Sequence, residues 1–305
     1  MVTNSGSHRS RSAGSLPANS PDPLRRLWQD DPETPEPEVP LLGGDVTEGV
    51  VRVGATVRRA FGPGADYVHA LLDHLEAKGF EGAPRYLGVD ARGREVLTFV
   101  EGEVAGRPHP AWVADERRLA SLGRLLRAYD DAAMDFVPPP GVEPAPGPPE
   151  LPGLPPAPSA EPDIIAHLDI TPENVVFRDG EAYALIDFDL VRPGTRVDEL
   201  YNAMLWWAPL NEPADVDPAL GTVDAFRRSR LLADAYGMSD RDRARLVEVA
   251  ILRTHRSWHT MKYRAEHEGG GWQRMWDEGV GGIIKRREAW LERNATALDT
   301  ALTAP

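Results

Sequence analysis

The segment His167–Asp189, HLDITPENVVFRDGEAYALIDFD, places the strongest constraint on how this chain of 305 residues can fold. Asp179-Gly180 lies between the apolar runs VVF and AYALI, which is a strong signal for a β-hairpin. Asn174 would then stand just before the first strand and Asp187 at the end of the second. Both side chains should therefore emerge at one edge of the fold, close to Asp169.

These three polar side chains suit phosphoryl transfer, a reaction that needs positioning and charge cancellation more than covalent help. Asp169 could accept the proton of an attacking hydroxyl, while Asn174 and Asp187 offer the hard oxygen ligands that Mg²⁺ prefers. Taken singly, each could be an ordinary turn or cap residue. The order H-x-D-x-x-x-x-N, hairpin, I-D-x-D makes the combined pattern specific.

The segment resembles the catalytic loop and metal-binding segment of the aminoglycoside phosphotransferase and choline kinase-like family, which is related to the protein kinases. The runs LLGG, VRR, GFEGAPRYLG and GREVLTFVEGE are similar to N-terminal lobes of bacterial members. The resemblance covers roughly residues 41–210. It implies an α+β, bilobal, protein-kinase-like fold that binds ATP and Mg²⁺ between a small β-rich lobe and a larger helical lobe.

The same resemblance implies roles for individual residues. Asp169 would be the catalytic base, and Asn174 and Asp187 the metal ligands. His167 would support the loop, although a core histidine is the commoner role for such a residue in general. Asp189 would either support the metal site or begin the following turn.

The chain divides into three predicted regions. Residues 1–40 are expected to be a disordered leader with a short anchor near Trp28, residues 41–101 a β-rich nucleotide-binding lobe, and residues 102–305 the helical catalytic and substrate lobe. Eleven of the 21 residues in 138–158 are proline, which predicts an extended surface loop. Predicted helices cover residues 65–78, 111–134, 197–208, 222–236, 240–266 and 272–303.

The phosphate-binding part of the first lobe departs from the family pattern. Kinase-like lobes carry a lysine on the third strand, where this chain has Val57-Arg58-Arg59. Arginine binds phosphate bidentately and can replace lysine. Because strand residues alternate, only one arginine can face the cleft, and Arg58 is the expected one, with Arg59 a solvated edge residue. No glutamate of the next helix, which offers His69, Asp73 and Glu76, matches the usual partner of that lysine.

Two further nucleotide contacts are expected by analogy. Gly43 and Gly44 would form part of a loop over the phosphates, although they could equally form an ordinary turn. The backbone of Phe99, Val100 and Glu101 would read the adenine between the lobes, although the same side chains fit an ordinary strand end. Trp206 and Trp207 could line a substrate pocket, with at least one of them expected in the core.

The composition of the chain bears on its location and on its partners. The chain has no cysteine, which excludes disulfides and thiolate metal sites and favours a cytoplasmic location. A net charge of −14 argues against a nucleic-acid partner and would favour a cationic small-molecule acceptor, or simply solubility. No apolar run is long enough for a membrane span. The expected function is an ATP- and Mg²⁺-dependent small-molecule phosphotransferase; the alternative is an inactive, nucleotide-binding relative.

Overall fold

The computed structural model describes residues 26–30, 36–41, 49–147, 151, 154–155 and 161–304. These residues form two lobes, a small one built on an antiparallel sheet and a larger one that is mainly helical, as the sequence predicts. Gly102 lies at the junction with a φ of 153°. A Cβ there would stand 2.4 Å from Val176 Cγ1 and 2.7 Å from the Phe177 carbonyl oxygen, so the crossing strand approaches too closely for a side chain.

The small lobe contains five strands and one helix. They are Glu38–Pro40 (β1), Val51–Val53 (β2), Thr56–Arg59 (β3), the helix Ala65–Ala77 (α1), Tyr86–Val89 (β4) and Glu95–Thr98 (β5). The sheet order is β1-β2-β3-β5-β4, with every neighbouring pair antiparallel. Helix α1 buries Leu71, Leu72 and Leu75 completely or nearly so, because these residues recur at helical spacing.

The large lobe contains two short β-ribbons within a helical framework. Its elements are the helix Glu116–Ala133 (α2), strands Ile164–Ala166 (β6), Val175–Arg178 (β7), Glu181–Leu185 (β8) and Arg192–Gly194 (β9), and helices Arg196–Trp207 (α3), Ala225–Tyr236 (α4), Asp240–His267 (α5), Gly270–Asp277 (α6) and Val280–Thr303 (α7). Strand β6 pairs with β9, and β7 pairs with β8. The two ribbons hold the segment that carries the site.

The boundary of the predicted leader at residue 40 is wrong. Residues 38–40 form β1, and residues 26–30 lie along β4, where Trp28 N donates to the Val89 carbonyl at 2.8 Å and Val89 N donates to the Arg26 carbonyl at 2.7 Å. Both stretches add backbone hydrogen bonds to the sheet. Residues 1–25 lie outside the described residues.

Two predicted helices differ in detail. The helix predicted for residues 111–134 is a short 3₁₀ turn followed by α2, because the Asp115 side chain caps α2 by accepting from Arg117 N at 2.7 Å. The helix predicted for residues 272–303 is two helices, α6 and α7, separated at Gly279, where φ is 96°. Residues 138–147 of the predicted proline-rich loop contain no helix or strand; much of the remainder lies outside the described residues. None of the described helices combines the length and apolar character of a membrane span.

Candidate active site

The predicted hairpin forms and brings its two ends together. Asp179 and Gly180 make the turn with φ of 51° and 80°. At the open end, Val175 pairs with Leu185, and Ile186 N donates to the Asn174 carbonyl at 2.9 Å. Because Asp187 follows Ile186, the two predicted metal ligands lie on adjacent backbones, although they are 13 positions apart in sequence.

Asn174 also contacts the predicted catalytic base. Its Nδ2 donates to Asp169 Oδ2 at 2.8 Å and to the Asp169 carbonyl at 3.1 Å. With the nitrogen turned toward Asp169, the amide oxygen is the atom of Asn174 left to face elsewhere. Asn174 therefore fixes the carboxylate of Asp169 and keeps its own oxygen as a donor for a cation.

The predicted catalytic loop, residues 167–174, has a strained backbone that α3 holds in place. Leu168 has φ of 60°, a conformation that side chains other than glycine and asparagine rarely adopt. The carboxylate of Glu199 accepts from both His167 N and Leu168 N at 3.0 Å, and Asn202 Oδ1 accepts from Ile170 N at 2.7 Å. These two contacts of α3 fix the loop on either side of Asp169.

Glu199 and Asn202 were not predicted from the sequence. The available signal was weak: Glu199 is a fully buried carboxylate on a helix whose N-terminus has the capping-box partners Thr195 and Asp198. Buried acids need partners, but only the fold shows that the partners of Glu199 are the amides of the catalytic loop.

His167 is a core residue. Its ring is 0% exposed and packs edge-on against Phe188 at 4.6 Å between centroids. Burial lowers the pKa of His167 to about 4, so it is neutral in the folded protein at neutral pH. Trp207 is also fully buried, and its Nε1 donates to the Ile170 carbonyl at 2.9 Å, so this tryptophan supports the loop as well, while Trp206 is half-buried.

The prediction that Arg58 faces the cleft and Arg59 faces solvent is wrong. Strand alternation places Arg59 on the same face as Val57, which packs against the core. Arg59 is buried and contacts Asp187 at 3.2 Å and Asp189 at 2.5 Å. Arg59, not Arg58, thus reaches the end of the hairpin.

Arg58 lies on the opposite face of the sheet. It binds Asp30 through two nitrogen atoms and stands 3.7 Å from the buried Asp90. Its partner Asp30 belongs to the stretch that was expected to be leader. Strand alternation alone does not say which of the two arginines faces the cleft. The sequence shows neither the carboxylate partner of Arg58 nor the face of β3 that packs against the core.

A buried chain of polar groups supports Arg59 from behind. Glu95, on the neighbouring strand β5, accepts from Arg59 Nε at 2.6 Å and lies 2.5 Å from His69 Nε2. His69 comes from α1 and stacks flat on Tyr86, with 3.6 Å between ring centroids. The acidic partner of the strand cation is therefore on a strand, and α1 contributes a histidine in place of the glutamate expected of the family.

The carboxylates at this edge are partly buried and repel one another. Burial, followed by the charge of Asp187, raises the pKa of Asp169 to about 7, although the Asn174 hydrogen bond acts in the opposite direction. Burial and the charge of Asp189 likewise raise the pKa of Asp187, and Arg59 partly offsets this. A base that titrates near neutral pH is well matched to accept a proton from a hydroxyl.

The donor set fits a magnesium ion shared with a nucleotide. Within the described ranges, no group of three or more His, Asp or Glu side chains is placed to hold a metal. Magnesium commonly takes only one or two protein carboxylates and completes its shell with phosphate oxygens and water. The carboxylate of Asp187 and the amide oxygen of Asn174 provide hard donors of this kind.

The other predicted nucleotide contacts receive no direct support. Phe99 N already donates to the Ala55 carbonyl at 2.8 Å, and the Glu101 carbonyl accepts from Arg178 Nε at 2.7 Å. Val100 lies between them in the link from β5 to the large lobe. Gly43 and Gly44 lie outside the described residues. The role of these five residues in nucleotide binding stays a prediction.

Sequence comparison places the site within a known family. Residues 149–246 match the family model described as the phosphotransferase enzyme family, a range that includes Asp169, Asn174 and Asp187. The chain is also similar to the trifolitoxin immunity protein of Rhizobium leguminosarum bv. trifolii, with 35% identity over 220 residues that cover 70% of this chain and 79% of that protein.

Comparison with solved structures confirms the kinase-like fold. A choline/ethanolamine kinase family protein from Mesorhizobium loti has a TM-score of 0.53 at 15% identity, with 88% of this chain and 93% of that chain covered. The amicoumacin kinase hAmiN, solved in complex with AMP-PNP, Ca²⁺ and Ami, also has a TM-score of 0.53, at 11% identity with 88% and 90% covered. At this level of identity the likeness concerns the fold.

Proposed function

We propose, on the premise that this chain belongs to the phosphotransferase enzyme family, that it transfers the γ-phosphoryl group of ATP to a hydroxyl of a small molecule and requires Mg²⁺. The observation that carries the proposal is the convergence of Asp169, Asn174 and Asp187 at the open end of one hairpin, with Arg59 beside them. We also propose a cytoplasmic location.

Each residue has a distinct task in this proposal. Asp169, held by Asn174, orients the acceptor hydroxyl and takes its proton. Asp187 and the amide oxygen of Asn174 would hold Mg²⁺, which when bound supplies positive charge that offsets the negative charge of the phosphates. Arg59, positioned by Glu95, would bind phosphate oxygens with the bidentate geometry of its guanidinium.

The alternative of an inactive nucleotide-binding protein has less support. It was suggested by the missing lysine and glutamate of the small lobe. The structure gives the strand cation a buried carboxylate partner in Arg59–Glu95, so both charges of the usual pair are present on different elements. The base and both candidate metal ligands are present as well.

For the acceptor, we propose only the class of compound to which it belongs. The similarity to a trifolitoxin immunity protein supports an antibacterial compound as the acceptor, because phosphorylation adds negative charge to a compound and changes what it can bind. Expression of the chain in a sensitive bacterium should then protect it from that compound, and Asp169→Asn should remove the protection. A protective effect that persists in the variant would contradict this role.

A thermal-shift titration tests nucleotide binding. Mg-ATP at 100 times its Kd should stabilise the protein by about 2.7 kcal/mol, because the ligand binds only the folded chain. Asp187→Asn should lose the part of the shift that depends on magnesium. Asp179→Asn is the matched control, since it lies at the closed end of the same hairpin. Absence of a shift with any nucleotide would overturn the proposal.

A further inference from the structure

Four arginines lie close to α3, the helix that holds the catalytic loop. Arg253, Arg256 and Arg264 lie on α5 at spacings of three and eight residues, which places them on one face of the helix. Arg192 lies on β9 two residues before Gly194, where a Cβ would stand 3.9 Å from Oδ2 of Asp198, the carboxylate that Arg253 binds. Burial, followed by the charges of Arg264 and Arg253, lowers the pKa of Arg192. In a chain whose net charge is −14, this is a local concentration of positive charge.

Their guanidinium groups have few counter-charges. Arg253 binds Asp198 at 2.7 Å, whereas Arg192 and Arg256 donate to the backbone carbonyls of Leu190 and Pro155. For the residues that the structure describes, no carboxylate lies within 4 Å of Arg192 or Arg256.

Among these arginines, Arg264 is the one whose burial is least compensated. Its side chain is 11% exposed, its Nε is buried without a hydrogen-bond partner, and its nearest carboxylate, on Glu268, is 3.9 Å away. Trp272 of α6 lies 4.4 Å from the guanidinium and holds it by stacking. Buried charges are normally paired, because leaving one uncompensated costs free energy.

The cluster is connected to the catalytic loop through the backbone. Arg192 pairs with Ala166 across the β6–β9 ribbon, and Ala166 immediately precedes the loop. Asp198, the partner of Arg253, is adjacent to Glu199, which holds the loop amides. On the other side, a Cβ at Gly147 would lie 3.2 Å from Arg192 Nη1, so the proline-rich segment borders the cluster.

We propose that Arg192, Arg253 and Arg264 form a site for an anionic group, a carboxylate or a phosphate, carried by the acceptor. Arginine forks match such groups bidentately, and the charge-assisted hydrogen bonds are stronger than neutral ones. The acceptor part rests on the proposed phosphotransferase function; the anion site does not. The ligand would then be an anionic hydroxyl compound, in contrast to the cationic acceptor that net charge favours.

The anion site is tested by calorimetric titration of inorganic phosphate into the full chain saturated with Mg-AMP-PNP, which occupies the nucleotide site. Phosphate should bind, and Arg192→Gln and Arg264→Gln should each weaken it at least tenfold. Arg124→Gln is the control, because Arg124 is an exposed arginine paired with Glu181 on another face. Absence of binding, or equal binding by all variants, would overturn the site.

Melting without phosphate separates binding from a structural role. If the arginines serve binding, Arg192→Gln and Arg264→Gln should melt no lower than the unmodified protein, because each substitution removes repulsion between like charges. A lower melting temperature together with unchanged phosphate affinity would assign them to the fold instead. Arg192→Lys, which keeps the charge but not the fork, should retain part of the affinity.

The source of the anion is tested by competition. Hydroxyl compounds are compared in pairs that differ only in a carboxylate or its amide, such as N-acetylserine and N-acetylserinamide. The acids should displace phosphate and the amides should not. If no acid displaces it, the site takes free phosphate and the acceptor assignment is wrong. If AMP-PNP fails to bind, the proposed function fails, and the phosphate titration is performed on the nucleotide-free protein.

Discussion

Arg58 and Arg59 are neighbours in sequence with opposite environments. Arg59 lies between Glu95 and the acidic end of the hairpin, and Arg58 pairs with Asp30 on the other side of the sheet. Burial alone would lower the pKa of Arg59, but the carboxylates Asp189, Glu95 and Asp187 outweigh it, and the net shift is upward. Arg59 therefore stays charged where phosphates are proposed to bind.

Substitution of the two arginines should separate activity from stability. Arg59→Met should lower phosphoryl transfer by about 100-fold or more, since an electrostatic contact of this kind is worth a few kcal/mol. Arg59→Lys should recover part of the rate. Arg58→Met should leave the rate unchanged and lower the melting temperature. Steady-state kinetics and thermal melting are measured on all three variants; equal losses of rate in Arg58→Met and Arg59→Met would contradict the assignment.

His167 should make the protein sensitive to acid. Its pKa is about 4 when folded and about 6.5 when unfolded, so between these values only the unfolded chain takes up the proton. Stability is therefore full above pH 6.5 and falls as the pH is lowered toward 4, by on the order of 3 kcal/mol.

Denaturant unfolding at pH 7 and at pH 4.5 measures this effect. His167→Gln, which cannot titrate, should show a smaller loss of stability between the two values than the unmodified protein. The comparison uses the difference between pH values, so a uniform packing penalty cancels. An identical loss in both proteins would show that His167 does not titrate in this window.

At the residue scale, the sequence predicted what local spacing determines. The hairpin turn at Asp179-Gly180 fixes where Asn174 and Asp187 meet, and both lie within 20 residues of Asp169. The orientation of Arg59 could not be predicted, because it depends on which face of β3 packs against the core. The anchoring by Glu199 depends on a contact across 31 or 32 positions.

At the scale of elements, the sheet of the small lobe includes residues that the composition of the sequence predicts to be a disordered leader. A Ser-, Pro- and Asp-rich stretch suggests disorder, yet residues 38–40 need only backbone groups to extend the sheet beside β2. Edge strands tolerate such composition because one of their sides is unpaired. The bounds of α1, α3, α4 and α5 were predicted within three residues, because these helices carry clear periodicity.

Removal of residues 1–40 should destabilise the small lobe. A protein that begins at residue 41 loses β1, the contacts of residues 26–30 with β4, and the Asp30 partner of the buried Arg58. Arg58 then keeps only Asp90, 3.7 Å away. Loss of its closer partner costs up to about 3 kcal/mol. A protein that begins at residue 26 keeps these contacts and is the control. Equal melting temperatures for the two truncations would show that the stretch contributes nothing.

At the scale of the whole molecule, two lobes meet where β7 pairs with the link that follows β5. Glu103 and Phe177 exchange backbone hydrogen bonds at 2.8 Å, and Gly102 allows the close approach. Phe177 lies on β7, the strand that begins directly after Asn174. The large lobe therefore carries the proposed base Asp169 and the candidate metal ligands, while the small lobe contributes Arg59. The two-lobe architecture was predictable because strand-rich and helix-rich patterns occupy separate parts of the chain.

The most direct test of the central claim is γ-phosphoryl transfer from ATP by Asp169→Asn. Asparagine keeps the shape of the side chain and cannot act as the base, so turnover should fall by about 10² to 10⁴, while the thermal shift with Mg-ATP remains that of the unmodified protein. Turnover at the original rate in Asp169→Asn would contradict the account.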